Sequence, residues 1–164
     1  MARAPPLGAP RTSSQLISPF SKLCSQPTTI CDTRLAGVGP WVVAAGQGGW
    51  TGRQVIHHLA DTHLNLYSRF RLALTENNPT VRPFDEKAWA ELPDVAATPI
   101  TVSLALLASL HQRWVGLLQH LTDAQWQRTF YHPRYDTTLT LDQALVQYAW
   151  HGRHHLGHLA LLAE

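Results

Sequence analysis

From Trp50 onward the apolar residues recur with a helical period, and three stretches open with the same signal. A threonine is followed three residues later by glutamine, the pattern in which hydroxyl and carboxamide reciprocally satisfy free N–H groups at a helix start. The pairs are Thr51 with Gln54, Thr122 with Gln125 and Thr140 with Gln143. The first predicts a helix from about Gly52 to Leu74, ended by Glu76, Asn77, Asn78 and Pro79. Its inward stripe carries Val55, His58, Leu59, Thr62, Leu66, Arg69 and Phe70. A second helix is expected from about Thr101 to Leu121, with Leu104, Leu107, Ala108, His111, Val115 and Leu118 on one face. Leu106, Leu110 and Leu117 lie beside them, so this helix is apolar nearly all round and is expected at the centre. A short helix after Thr122 leads through a turn region, Tyr131 to Thr138, into a last helix from Leu141 to about Ala163. No stretch alternates as a half-buried strand would, so the pattern predicts an all-α, antiparallel helix bundle.

Two stretches lack the period. Residues 75–99 carry Pro79, Pro83, Pro93 and Pro99, with one helical turn expected near Asp85 to Trp89 and Phe84 and Trp89 pinning the loop. Residues 1–48 hold six of the eleven prolines, five of the ten glycines and five of the eight serines, which predicts a disordered or atypical N-terminal segment ahead of a domain at 49–164. A transit peptide is the lesser reading of that segment, because it is rich in proline and shows no amphipathic helix.

At 164 residues the chain has room for one domain, and its 45% hydrophobic and 15% charged content excludes disorder throughout. The longest uncharged apolar run, Val102 to Leu110, is about half of what a membrane helix needs, so a soluble protein is expected. The two cysteines, Cys24 and Cys31, form no C-x-x-C pair, which makes a reducing compartment the expectation. Residues 1–48 carry a net +3 and residues 49–164 a net −1. The helical part therefore has no excess positive charge for phosphates, which argues against nucleic acid as a partner.

The ten histidines all follow Trp50 and point to a metal. In Trp150-His151-Gly152-Arg153-His154-His155-Leu156-Gly157-His158, two pairs stand four residues apart: His151 with His155, and His154 with His158. A four-residue step turns only about 40° around a helix, so each pair can converge on one ion. The stripe Ala144, Tyr148, His151, His155 and Leu162 favours His151 and His155, with His154 about 60° away. On the first helix His58 lies on the inward stripe and His57 a 100° step from it. Asp61, one turn beyond His58, is the candidate base or carboxylate partner of a ligand histidine. Three histidines with an open fourth position suit catalytic zinc, whereas a closed structural site would add His158 or Asp61. His63, His120 and His132 read as polar surface or turn residues, His111 as a hydrogen-bonded core histidine ahead of a group supporting a ligand or meeting substrate, and Trp114, Trp126 and Trp150 as core packing.

Several separated stretches resemble one family. These are Gly49-Trp50-Thr51, His57-His58-Leu59-Ala60-Asp61-Thr62-His63, Arg69 to Glu76, Trp89 to Asp94, Leu110 to Val115 and Tyr148 to His155. Over roughly residues 49–164 the sequence is similar to the YfiT-type branch of the DinB-like superfamily. The resemblance implies a DinB-like antiparallel four-helix bundle holding a divalent ion, zinc or nickel, through His58, His151 and His155. It implies a metal-dependent hydrolase, cytoplasmic and homodimeric, acting on a small-molecule substrate. Some relatives in the superfamily are S-transferases of low-molecular-weight thiols such as bacillithiol, and a non-catalytic metal-binding bundle is a third reading. Family members carry a helix before Gly-Trp-Thr, where this sequence has no helical period, so its first helix is expected to be missing or altered. A shifted reading frame or a misassigned start upstream of about Gly46 would account for that.

Overall fold

The computed structural model describes Gln15, Ile17, Ser18 and residues 49–160. Helix α1 (Gly52–Thr75) is opened by Thr51 with both halves of the capping box formed. The loop that follows contains two short helices, α2 (Glu86–Ala90) and α3 (Pro93–Ala97), the first capped by the Asp85 side chain. Helix α4 (Ile100–Leu118) and the single turn α5 (Asp123–Trp126) come next, α5 again with a complete Thr-Gln box. A hairpin of β1 (Thr129–His132) and β2 (Thr137–Thr140) leads into α6 (Leu141–Ala160). At this last start only half the expected box forms: Thr140 N–H donates to Gln143 Oε1, while Gln143 N–H donates to the Asp142 carboxylate.

The hairpin corrects the expectation of a turn region without strands. Its register pairs Thr129 with Thr140 and His132 with Thr137, and the inward residues of β1 are Phe130 and His132. A four-residue strand with a histidine at one of its two buried positions leaves no apolar alternation to detect in the sequence. The Pro79 to Val81 segment joins its open edge, Tyr131 N–H donating to Pro79 O and Val81 N–H to Tyr131 O, each at 2.9 Å. Asn78 and Asp136 turn the chain with φ of 45° and 44°, values that Asn and Asp tolerate better than other side chains.

Helix α1, not α4, is the central element. It packs on α4, α6, α2, α3 and β1, and so is buried on more than one side. Helix α4 instead leaves Val102 54% and Leu106 42% exposed among the described residues. Around α1 the interior divides into two apolar clusters. The larger holds Leu66, Phe70, Trp114, Leu118, Trp126, Phe130, Leu141 and Leu145, the smaller Val55, Ile56, Leu59, Leu107 and Leu159. The expectation of a disordered tail and a missing or altered first helix falls on residues 1–48, which lie outside the described residues except for three. Gln15, Ile17 and Ser18 are helical, and Ile17 packs against the larger cluster. Leu162, expected on the α6 stripe, also lies outside them.

No single helix among the described residues is long and apolar enough to cross a membrane. The 75–99 loop is held differently from the expectation. The Phe84 and Trp89 rings meet at 4.6 Å, tilted by 46°, but Trp89 is 38% exposed. Val81, Ala90 and Val95 are the buried anchors, and α1 ties the backbone down through Gln54 to Ala90 O, Arg53 to Thr98 O and Arg69 to Arg82 O. Arg128 closes the far end of α1 by donating to the carbonyls of Ala73 and Glu76.

Arg69 is 6% exposed and spends its guanidinium on Arg82 O and the Tyr148 hydroxyl, which joins α1 to both the loop and α6. Arg69→Ala should therefore cost about 2 kcal/mol or more, through acceptors left without a donor, while exposed Trp89→Ala should cost less than about 1 kcal/mol. Urea denaturation of the two variants checks this, and equal losses would contradict it.

Candidate metal centre

Between the two apolar clusters lies a layer of imidazoles. His58 and His63 come from α1, His111 from α4, and His151 and His155 from α6. Of these, His58, His151 and His155 each offer a nitrogen within 4.8 Å of the other two, the one such group of His, Cys, Asp or Glu among the described residues. His151 Nε2 stands 3.4 Å from His58 Nε2 and 3.1 Å from His155 Nε2. Tetrahedral coordination with metal–nitrogen distances of about 2.0–2.1 Å spaces two ligand nitrogens about 3.3 Å apart, so these separations fit one zinc-sized ion.

The far sides of the rings are also arranged. Thr62 Oγ1, one turn along α1, is 3.3 Å from His58 Nδ1 and 3.4 Å from its Nε2, a hydroxyl that packs along the edge of this ring. The edge of Trp50 packs on the His58 ring at 4.6 Å. His151 is flanked by Tyr148 at 5.8 Å and His63 at 6.1 Å, ring centre to ring centre. The Nδ1 atoms of His151 and His155 are buried without a hydrogen-bond partner among the described residues. No second side chain holds those two rings as Thr62 holds His58.

Burial dominates the electrostatics. It brings His58 down to about 4, with the neighbouring His155 charge adding to the effect. His151 and His155 are brought to about 3, again by burial first and by the adjacent imidazoles second. All three are therefore neutral at neutral pH, the form in which imidazole binds a metal.

Other histidines depart from expectation. His63 is 1% exposed and joined to His111 by a 2.7 Å hydrogen bond between Nδ1 and Nε2, so it is a core residue and not a surface one. His132 is 6% exposed, buried by the hairpin that was not anticipated. His57, a step off the stripe, is buried as well and meets Ser103 Oγ at 2.7 Å, because central α1 has no wholly solvent-facing side at this level. His111 is the buried, hydrogen-bonded core histidine that the pattern suggested, and His120 is exposed, 2.7 Å from Gly116 O. Trp150 is not core packing. It is half-buried and stacks on His154, outside the trio.

The Asp61 carboxylate makes no hydrogen bond with the three imidazoles among the described residues and is not in their group of converging ligand atoms; its pKa is raised by burial and then by the charge of Asp94.

A helical bundle with one histidine from α1 and a four-spaced pair from the last helix defines a class of metal-site bundles, and the comparisons with known proteins give the family. The DinB superfamily model matches residues 20–159, and the chain belongs to that superfamily. That match begins upstream of the stretches on which the resemblance was first drawn. The Bacillus subtilis protein named "Putative metal-dependent hydrolase YfiT" is 54% identical over 117 residues, 71% of this chain and 66% of that protein. A protein of Oceanobacillus iheyensis with the same functional name is 50% identical over 117 residues, 71% of this chain and 67% of its own. The matched region thus spans about two thirds of the length of these relatives. The solved structure of YfiT superposes with a TM-score of 0.84 and 41% identity, covering 97% of this chain and 91% of the other, and is described as having an unusual four-helix bundle topology. The fold is the DinB-like four-helix bundle.

An unfolded histidine titrates near 6.5, while burial keeps these five neutral in the folded chain to much lower pH. Above about 6.5 neither state is charged and their full contribution to stability is present; as pH falls the unfolded state alone takes up protons. The urea midpoint of metal-free protein should hence be level from pH 8 to 7 and fall steadily from about pH 6.5 toward pH 4. A midpoint unchanged over that range would contradict the burial of these rings.

Proposed function

We propose that this protein is a metal-dependent hydrolase whose single divalent ion is held by His58, His151 and His155. The observation that carries the reading is the convergence of three neutral imidazoles at the 3.4 and 3.1 Å spacings of a tetrahedral ligand set. Three nitrogen donors leave a fourth position for a reactant, which distinguishes catalytic from closed structural sites. A divalent ion there supplies Lewis-acid chemistry, lowering the pKa of a coordinated water toward about 7 or ionising a coordinated thiol.

The chain's own part is to place and shield the donors. Thr62 packs along the edge of His58, Trp50 covers its flank, and Tyr148, itself held by Arg69, packs beside His151. Zinc is the proposed ion with nickel as the alternative, since imidazoles alone do not select between them. The substrate is taken to be a small molecule and the working unit a homodimer in the cytoplasm. That the relatives are named as metal-dependent hydrolases supports the hydrolytic reading.

One observation favours a second reading, a metal-dependent S-transferase of a low-molecular-weight thiol. No carboxylate joins the trio's converging ligand atoms among the described residues, and Asp61 makes no hydrogen bond to them. Hydrolysis draws on a base for the attacking water, whereas a thiol, with a pKa of about 8.5, needs far less help to ionise. If Asp61 is nonetheless the base, Asp61→Asn will abolish turnover with metal content intact; on the geometry described, it should reduce the rate by less than about tenfold.

Mass spectrometry of untagged protein should find one tightly held ion per chain after dialysis. His58→Ala, His151→Ala and His155→Ala should each lose it and His154→Ala should keep it; equal loss in all four would refute the trio. Loaded protein should then hydrolyse members of an ester and amide panel at rates independent of added thiol. A strict requirement for thiol, with a thioether as product, would replace the hydrolase reading by the transferase.

A further inference from the structure

The second four-spaced pair on α6 repeats the geometry of the first. The rings of His154 and His158 lie 4.2 Å apart at 63°, and those of His151 and His155 lie 4.5 Å apart at 77°. Both outer rings are half-buried and keep a solvent-facing side, and neither hydrogen-bonds to a described residue. His154 is held by Trp150, whose ring stacks on it at 5.0 Å and 12°, so that part of the cost of ordering a chelating side chain is already met by packing. Among the described residues no acidic side chain is hydrogen-bonded or ion-paired to either ring.

The two pairs are joined through one residue. The His155 ring is 5.5 Å from His154 and 5.5 Å from His158 on the outside, and 4.5 Å from His151 and 5.1 Å from His58 on the inside. Imidazoles therefore run without a break from the solvent-facing side of α6 to the layer between the apolar clusters. In the trio His58 is buried and His151 and His155 are half-buried, so an ion held by all three nitrogens has given up much of its water shell, and removing that shell in one step is costly for a small dication. Replacing waters by imidazoles one or two at a time, along rings already within reach, avoids that step.

We propose that His154 and His158 form an outer two-histidine site for a divalent transition metal, with water in its remaining positions, which captures the ion and passes it to the inner trio through His155. Binding at the outer pair stands on its own geometry. The transfer rests on the reading of His58, His151 and His155 as the inner ligands. With two donors in place of three, the outer site is the weaker of the two.

The test uses full-length, untagged, metal-free protein titrated with zinc against a chromophoric chelator. Wild type should take up two ions, one tight and one weaker. His58→Ala combined with His155→Ala, which leaves no inner pair, should retain only the weaker ion, and adding His154→Ala to it should leave none. In stopped-flow loading, the His154→Gln/His158→Gln variant, its fold verified by circular dichroism, should reach one tight ion per chain at a rate lower by about tenfold or more, since it loses the locally raised ion concentration. If the His58→Ala/His155→Ala variant binds no zinc, the outer site does not exist. If the His154→Gln/His158→Gln variant loads as fast as wild type, the transfer role falls although the site stands. If wild type holds only a weak ion that disappears in the His154→Gln/His158→Gln variant, the trio reading is the one that fails, and transfer fails with it.

Discussion

The structure depends on keeping imidazoles uncharged in its interior. A layer of five, His58, His63, His111, His151 and His155, separates one apolar cluster around Trp114 and Phe70 from another around Ile56 and Leu59. Each neutral ring brings one donor and one acceptor into a region with little water, and each must find a use for them. His63 and His111 use each other, at 2.7 Å. His58 has Thr62, and the three remaining edge nitrogens face one another, an arrangement whose lone pairs a cation reconciles better than hydrogen bonds can.

That layer can exist because α1 runs through the middle of the molecule. A helix with neighbours on several sides can present His58 to α6, His63 and His57 to α4, and Gln54, Arg53 and Arg69 to the loop, all within five turns. The loop from Pro79 to Pro99 is held mainly by long polar side chains of α1 that reach its carbonyls. Stability and site therefore share a helix, and Arg69 shows how: through Tyr148 it connects the anchoring of the loop to the ring packed beside His151.

The chemistry proposed for this protein follows from donor type and accessibility. Three imidazoles with no carboxylate among the converging ligand atoms form a neutral ligand set, which leaves a bound dication its full charge and so its full effect on whatever occupies the fourth position. The same absence leaves the base for a water unassigned and brings thiol chemistry into consideration. The outer pair extends this logic to supply: an ion entering a partly buried neutral site exchanges water for nitrogen, and that exchange can begin at the surface.

Much of this was written in local sequence. Three Thr-x-x-Gln boxes marked the starts of α1, α5 and α6, and helical spacing alone put His151 with His155 and singled out His58 over His57, because capping and periodicity act within a few residues and need no tertiary partner. What local pattern could not supply was how many sides of a helix would be covered. An apolar circumference suggested that α4 lay at the centre, whereas among the described residues α1 does, so His63 and His57 are buried. The hairpin that buries His132 likewise depends on pairing between distant residues and on an edge contact with Pro79 to Val81. The sequence by itself determined the helices, their caps and which histidines share a face. Only the tertiary structure decided which of those faces meet, because burial and convergence belong to the packing of several elements and are not properties of any one of them.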